Sequence, residues 1–136
     1  GELVAARAQE LGAAAVGGMT MGADPIASAA LAAPGGRDLL AFFVRKEVKA
    51  HGLQRGVEGP LLTPGTKVLM VEDVVTTGDS TVKAIERVVA EGLEVVGTVA
   101  VLDRLAGGAA AIEGAGGASY RPLATIDDVY PERPEG

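Results

Sequence analysis

The chain has 136 residues, a formal net charge of −6 and a pI of about 4.7. That length fits one domain with a core of its own, and that charge excludes a non-specific polyanion binder. With no cysteine, one histidine and 3% aromatic residues, it excludes disulfides, thiolate nucleophiles, histidine-rich metal sites and the aromatic stacking platforms of single-stranded nucleic-acid binders.

Gly1 to Leu11 reads as an amphipathic helix, with Leu3, Val4, Ala8 and Leu11 on one side. It does not resemble a signal peptide. Ala13 to Val16 is a short apolar strand, and Gly17 to Asp24 a glycine-rich loop. Asp24 is placed to cap a small-residue helix that starts at Pro25 and runs to about Ala33. Pro34-Gly35-Gly36 stops it, and Leu39 to Val44 is the next strand. Residues 45–64 are polar and glycine-containing, with little periodicity.

Lys67 to Val71 is a buried strand, Thr76 to Ser80 a turn, and Thr81 to about Glu91 a helix presenting Val82, Ile85, Val88 and Val89. Glu94 to Leu102 is a further strand, Gly107 to Glu113 a short helix, and Ser119 to Leu123 an edge strand. The tail, 127–136, is expected to be loose. Strands alternating with helices predict an α/β fold with a mostly parallel sheet, whose ligands bind beyond the carboxyl ends of the strands. No apolar run is long enough to cross a bilayer. The expectation is a single cytoplasmic domain, 1–136, with neither a nucleic-acid nor a membrane partner.

The most informative stretch is Val68-Leu69-Met70-Val71-Glu72-Asp73-Val74-Val75-Thr76-Thr77-Gly78-Asp79-Ser80. An apolar strand delivers two adjacent carboxylates, and a Thr/Gly/Ser turn then opens a helix. A helix N-terminus offers unpaired N–H groups and partial positive charge, so it holds a phosphate without a lysine. The carboxylates suit sugar hydroxyls or a hydrated Mg²⁺. An ordinary strand–turn–helix unit would not explain adjacent acids flanked by valines on both sides. No GxxxxGK[S/T] run is present, so a P-loop is not supported.

This stretch resembles the phosphoribosyl pyrophosphate (PRPP) motif of type I phosphoribosyltransferases, which implies the fold of that family: a mostly parallel central sheet flanked by helices. Phe42-Phe43-Val44-Arg45-Lys46-Glu47-Val48-Lys49-Ala50-His51-Gly52 resembles the strand and loop of the orotate phosphoribosyltransferases within that family. Val101-Leu102-Asp103-Arg104 resembles their strand ending in Asp-Arg, and Gly17 to Pro25 their pyrophosphate loop. The resemblance implies catalytic roles for Lys49, His51 and Asp73. It implies PRPP binding by Arg45, Lys46, Lys49, His51, Glu72, Asp73, Val74, Val75, Thr76, Thr77, Gly78, Asp79 and Ser80. Orotate would be held by Thr76 and Arg104. Mg²⁺ would arrive with PRPP and water near Glu72 and Asp73, with no direct protein ligand. A homodimer in which segment 45–64 acts in trans is also implied.

The chain departs from the family pattern in several places. Met21 stands where many members carry a lysine, Asp79 puts a carboxylate in the phosphate turn, and Glu72 replaces the commoner aspartate. Members also carry an N-terminal hood over the base, which this chain does not show before its first helix. The alternatives are a purine-type phosphoribosyltransferase, which has no reason for the Lys49-x-His51 pattern, and a non-catalytic PRPP or nucleotide-binding regulator, which should show a basic face.

Overall fold

A computed structural model describes residues 1–47, 56–116 and 118–134. In chain order these form α1 (Glu2–Leu11), β1 (Ala15–Met19), α2 (Asp24–Ala32), a 3-10 turn (Pro34–Gly36) and β2 (Leu40–Val44). There follow β3 (Val57–Glu58), β4 (Lys67–Val75), α3 (Asp79–Ala90), β5 (Glu94–Asp103), α4 (Gly108–Gly114), β6 (Ser119–Thr125) and α5 (Ile126–Val129). The strands make one sheet of order β3-β2-β1-β4-β5-β6. Every pairing is parallel except β2 with β3.

Both faces of the sheet are covered, which is why its central strands read as continuous apolar runs rather than alternating ones. Along β4, Val68 and Met70 point to a core shared with Ala84, Ile85 and Val88 of α3 and Ile112 of α4. Leu69 and Val71 point to the other core, shared with Val4 and Ala8 of α1 and Ala27 and Ala30 of α2. With few aromatics to fill space, small residues let the helices lie close to the sheet.

The structure corrects several boundaries. The glycine-rich stretch begins as strand: Gly17, Gly18 and Met19 pair in register with Phe42, Phe43 and Val44. A Cβ on Gly17 would lie 2.3 Å from the Phe42 carbonyl oxygen, and one on Gly18 2.1 Å from that of Val71. Glycine is required there by close approach, not by a turn. Asp24 is the first residue of α2 and not its cap, which is Ala23; its Oδ2 instead accepts the Thr20 hydroxyl at 2.7 Å. β4 continues to Val75, so both carboxylates lie within the strand.

The segment 45–64 contains β3, too short to leave a periodic signal. β6 runs to Thr125 and carries Pro122 at the sheet edge. The described part of the tail, residues 127–134, carries side-chain contacts. Thr125 and Asp128 form a capping box on α5, and Arg133 pairs with Asp127 at 2.6 Å. Among the described residues, no helix is long and apolar enough to cross a membrane.

Candidate active site

The strand order reverses between β1 and β4: β1 is followed by β2 on one side, and β4 sits on the other. Their helices diverge accordingly, α2 to one face and α3 to the opposite face. Chains leaving two adjacent parallel strands in opposite directions open a crevice at the carboxyl ends of the strands. Its walls are the β1–α2 loop, residues 20–23, and the β4–α3 turn, residues 76–78. The Thr20–Met21 peptide bond in the first wall is cis.

The second wall is a cradle. Val74 to Thr81 line a pocket of about 170 Å³. This is smaller than the roughly 300–1,000 Å³ of a pocket for a whole small ligand, so it fits the phosphate end of one. Gly78 caps α3 in the left-handed region, at φ 85°. A Cβ there would sit 3.0 Å from the Gly108 carbonyl oxygen, so glycine answers both the backbone angle and the packing of α4. The first N–H groups of α3 have no helical acceptor and lie at the positive end of its dipole. Asp79 is the first helical residue and is exposed.

The two carboxylates differ sharply in environment. Strand alternation sends neighbours to opposite faces, and Glu72 is 5% exposed whereas Asp73 is open to solvent. Glu72 accepts the Thr81 hydroxyl on Oε2 at 3.1 Å and the Asp73 N–H on Oε1 at 3.1 Å. Burial, reinforced by Asp73, pushes its carboxyl up from an ordinary 4.5 to about 7. Asp73 is held below the usual carboxylate value, chiefly by hydrogen bonding from the Glu72 side chain. At neutral pH the exposed Asp73 is therefore the charged acceptor of the site. Its carboxylate faces Gly22 of the opposite wall, where a Cβ would lie 2.8 Å from Oδ1. A side chain at position 22 would therefore meet that carboxylate.

Arg104 follows β5 directly, and its N–H donates to the Val75 carbonyl at 2.8 Å. This places it beside the start of the phosphate turn. Arg45, at the end of β2, pairs with Glu58, and its N–H donates to the Gly56 carbonyl at 2.9 Å. Lys46 is exposed. Lys49 and His51 lie outside the described residues. Val74, Val75, Thr76, Thr77, Gly78, Asp79, Ser80 and Thr81 line one pocket; Asp73 precedes it on β4, and the Arg104 backbone is joined to its edge at Val75. The structure turns Glu72 inward and gives Arg45 a partner on β3.

Three participants have no strong sequence signal. Thr81 is recognisable only as a hydroxyl near a helix start. Tyr120 donates its hydroxyl to Asp103 Oδ2 at 2.8 Å from what reads as an ordinary edge strand. Arg87 on α3 donates to the Arg45 carbonyl, and its stem packs 3.5 Å from where a Gly56 Cβ would be. A cation on the apolar stripe Ala84-Ile85-Val88 was the available hint.

Among the described residues, no group of three or more His, Asp or Glu side chains could hold a metal ion. The donor set fits Mg²⁺ brought in by a phosphate ligand, which needs one or two carboxylates besides phosphate and water. Asp73 is ionised and open for that role; Glu72 is buried and engaged.

A family model described as phosphoribosyl transferase domain matches residues 15–114. The chain is 51% identical over 131 residues to an orotate phosphoribosyltransferase of Rhodopirellula baltica, covering 93% of this chain and 67% of that protein. A crystal structure of a phosphoribosyltransferase from Corynebacterium diphtheriae superposes with a TM-score of 0.83 at 44% identity, covering 95% of this chain and 74% of that one. The Mycobacterium tuberculosis orotate phosphoribosyltransferase in complex with PRPP superposes with a TM-score of 0.77 at 41% identity, covering 94% of this chain and 74% of that one. The chain spans between 59% and 67% of the length of the first curated relatives it matches.

Proposed function

The chain belongs to the phosphoribosyltransferase family, and we propose that the protein transfers the 5-phosphoribosyl group of PRPP to orotate, yielding orotidine 5′-monophosphate and pyrophosphate in pyrimidine biosynthesis. The observation that carries this reading is the closeness of three elements at the carboxyl ends of β4 and β5. The phosphate cradle Thr76–Ser80, the ionised Asp73 and the cation Arg104 are built on adjacent strand ends.

The reaction is a displacement at C1 of the ribose, with positive charge developing on the sugar as pyrophosphate departs. Catalysis then rests on positioning and on charge fixed in advance. The α3 N-terminus holds the 5′-phosphate through backbone N–H groups, and Gly78 lets the ligand approach them. Asp73 accepts hydrogen bonds from the ribose hydroxyls, which fixes the ring. Arg104 offers the two-pronged donor geometry that matches a carboxylate, as on orotate, and Thr76 contacts the base from the cradle side. Lys46, Lys49 and His51 supply charge to the departing pyrophosphate, with Arg45 at the base of their segment. Mg²⁺ bound with PRPP supplies charge neutralisation at the pyrophosphate, near Asp73.

The assembly we propose is a cytoplasmic homodimer in which segment 45–64 serves the neighbouring site. The test of the activity is competitive: PRPP and Mg²⁺ are offered with orotate or with adenine, hypoxanthine or guanine. Consumption of orotate alone is expected. Consumption of a purine without orotate overturns the assignment, and PRPP binding without turnover of any base makes the protein a binding module.

A further inference from the structure

Asp103 is a carboxylate at 2% exposure, at the end of β5, one residue before the cation of the site. Burying a carboxylate is costly unless its oxygens are satisfied, and here each oxygen has a donor. Oδ2 accepts the Tyr120 hydroxyl at 2.8 Å, and Oδ1 accepts the Leu105 N–H at 2.8 Å. The second contact is an aspartate side chain closing a turn onto the backbone two residues on. It holds Leu105 at φ 59°, a left-handed angle that a branched side chain does not favour by itself. On the other side, the Arg104 N–H is held by the Val75 carbonyl. The backbone of Arg104 is therefore fixed from both ends.

Tyr120 stands behind this arrangement. Its ring is partly buried against the core that contains Val75 and Ile112, so the hydroxyl cannot drift. Burial and the facing carboxylate both raise the phenol above its ordinary value, which keeps it a donor at any physiological pH. The groups facing Asp103 are thus a neutral phenol and a backbone N–H. Neither Asp103 nor Tyr120 lines the Val74–Thr81 pocket; the unit is joined to it through the Arg104 N–H on the Val75 carbonyl.

We propose that Tyr120 and Asp103 are positioning residues for base selection, holding the Leu105 turn so that Arg104 is presented to the carboxylate of the incoming base. This rests on the reading of Arg104 given above and extends it to a residue on the sheet edge. The PRPP end of the site is built from β4 and α3 and does not depend on the tyrosine, so its removal acts on one substrate and not on the other.

The experiment is Tyr120→Phe, which deletes one oxygen and leaves the ring in the core. Two readouts are taken in parallel on the intact protein. Amide hydrogen exchange at Arg104 and Leu105 should quicken by about tenfold, the scale expected for losing a charge-assisted hydrogen bond. The KM for orotate should rise about fivefold while the KM for PRPP stays within about twofold. Unchanged exchange at both amides overturns the positioning unit, whatever the base. Faster exchange with equal rises in both KM values overturns its role in base selection. If the unmodified protein consumes no orotate, the function proposed above fails, and the exchange readout still decides the positioning. Asp103→Asn is the second variant: it keeps the shape and removes the charge, and should show the same split.

Discussion

The Thr81 hydroxyl donates to the buried Glu72 carboxyl at 3.1 Å, joining the strand that carries the acids to the first turn of the helix that forms the phosphate cradle. A buried carboxyl in such a place is most stable when neutral, and its value is raised to about 7. The native state therefore holds a proton that the unfolded chain has lost between about pH 4.5 and 7. The contribution of this group to stability is full below pH 4.5, declines as pH rises, and is gone above about 7. Glu72→Gln copies the neutral form. Denaturant unfolding from pH 5 to 8 should show wild-type stability falling by about 2–3 kcal/mol relative to the variant. Parallel profiles would mean that Glu72 is charged throughout.

Asp73→Asn removes an exposed charge and leaves the fold alone. Calorimetric titration with PRPP and Mg²⁺ should show affinity lower by about 1.5–3 kcal/mol, the scale of a lost charged hydrogen bond. The melting temperature should change little, because Asp73 is exposed and Glu72 keeps the Thr81 hydroxyl and the residue-73 N–H. Unaltered PRPP affinity would remove Asp73 from the site.

Gly78→Ala tests the turn through stability as well as binding. The new Cβ meets the Gly108 carbonyl at 3.0 Å, and φ of 85° suits glycine. A cost of about 1–2 kcal/mol is expected from the backbone angle alone, with weaker binding of ribose 5-phosphate. Wild-type stability with wild-type binding would place the cradle elsewhere.

Lys49→Ala and Asp73→Asn, each assayed at a PRPP concentration where it alone has little activity, test the shared site. Mixed and allowed to exchange, they should recover about one quarter of wild-type activity, since half the dimers are hybrids with one intact site. Demonstrated hybrids without recovery would confine segment 45–64 to its own subunit.

Much of this architecture was legible from residue order. The runs Leu40–Val44, Lys67–Val71 and Glu94–Asp103 are apolar because both sheet faces are covered, and α3 announces itself by its spacing. The carboxylates were misplaced to the strand end, although Val74 and Val75, which pair with Leu102 and Asp103, were the signal that β4 continues. Gly17 and Gly18 concealed a strand, because the cause is the nearness of Phe42 and Val71 and glycine itself favours no extended structure. Thr81 on Glu72 and Tyr120 on Asp103 are pairs made only by folding, nine and seventeen positions apart. No local pattern encodes them.

The two margins of the sheet have a bearing on solubility. An open strand edge is a template for another chain, and long flat ones lead to aggregation. One margin here is β3, two residues long and antiparallel to its neighbour. The other is β6, where Pro122 sits mid-strand opposite Ala100 and has no N–H to offer a newcomer. A seventh strand from another copy is poorly templated by a stub or by an interrupted ladder. Association between copies is thereby left to loops and helix faces, where it can be specific and closed, and the fibre-forming route is blocked at both sides by residue choice.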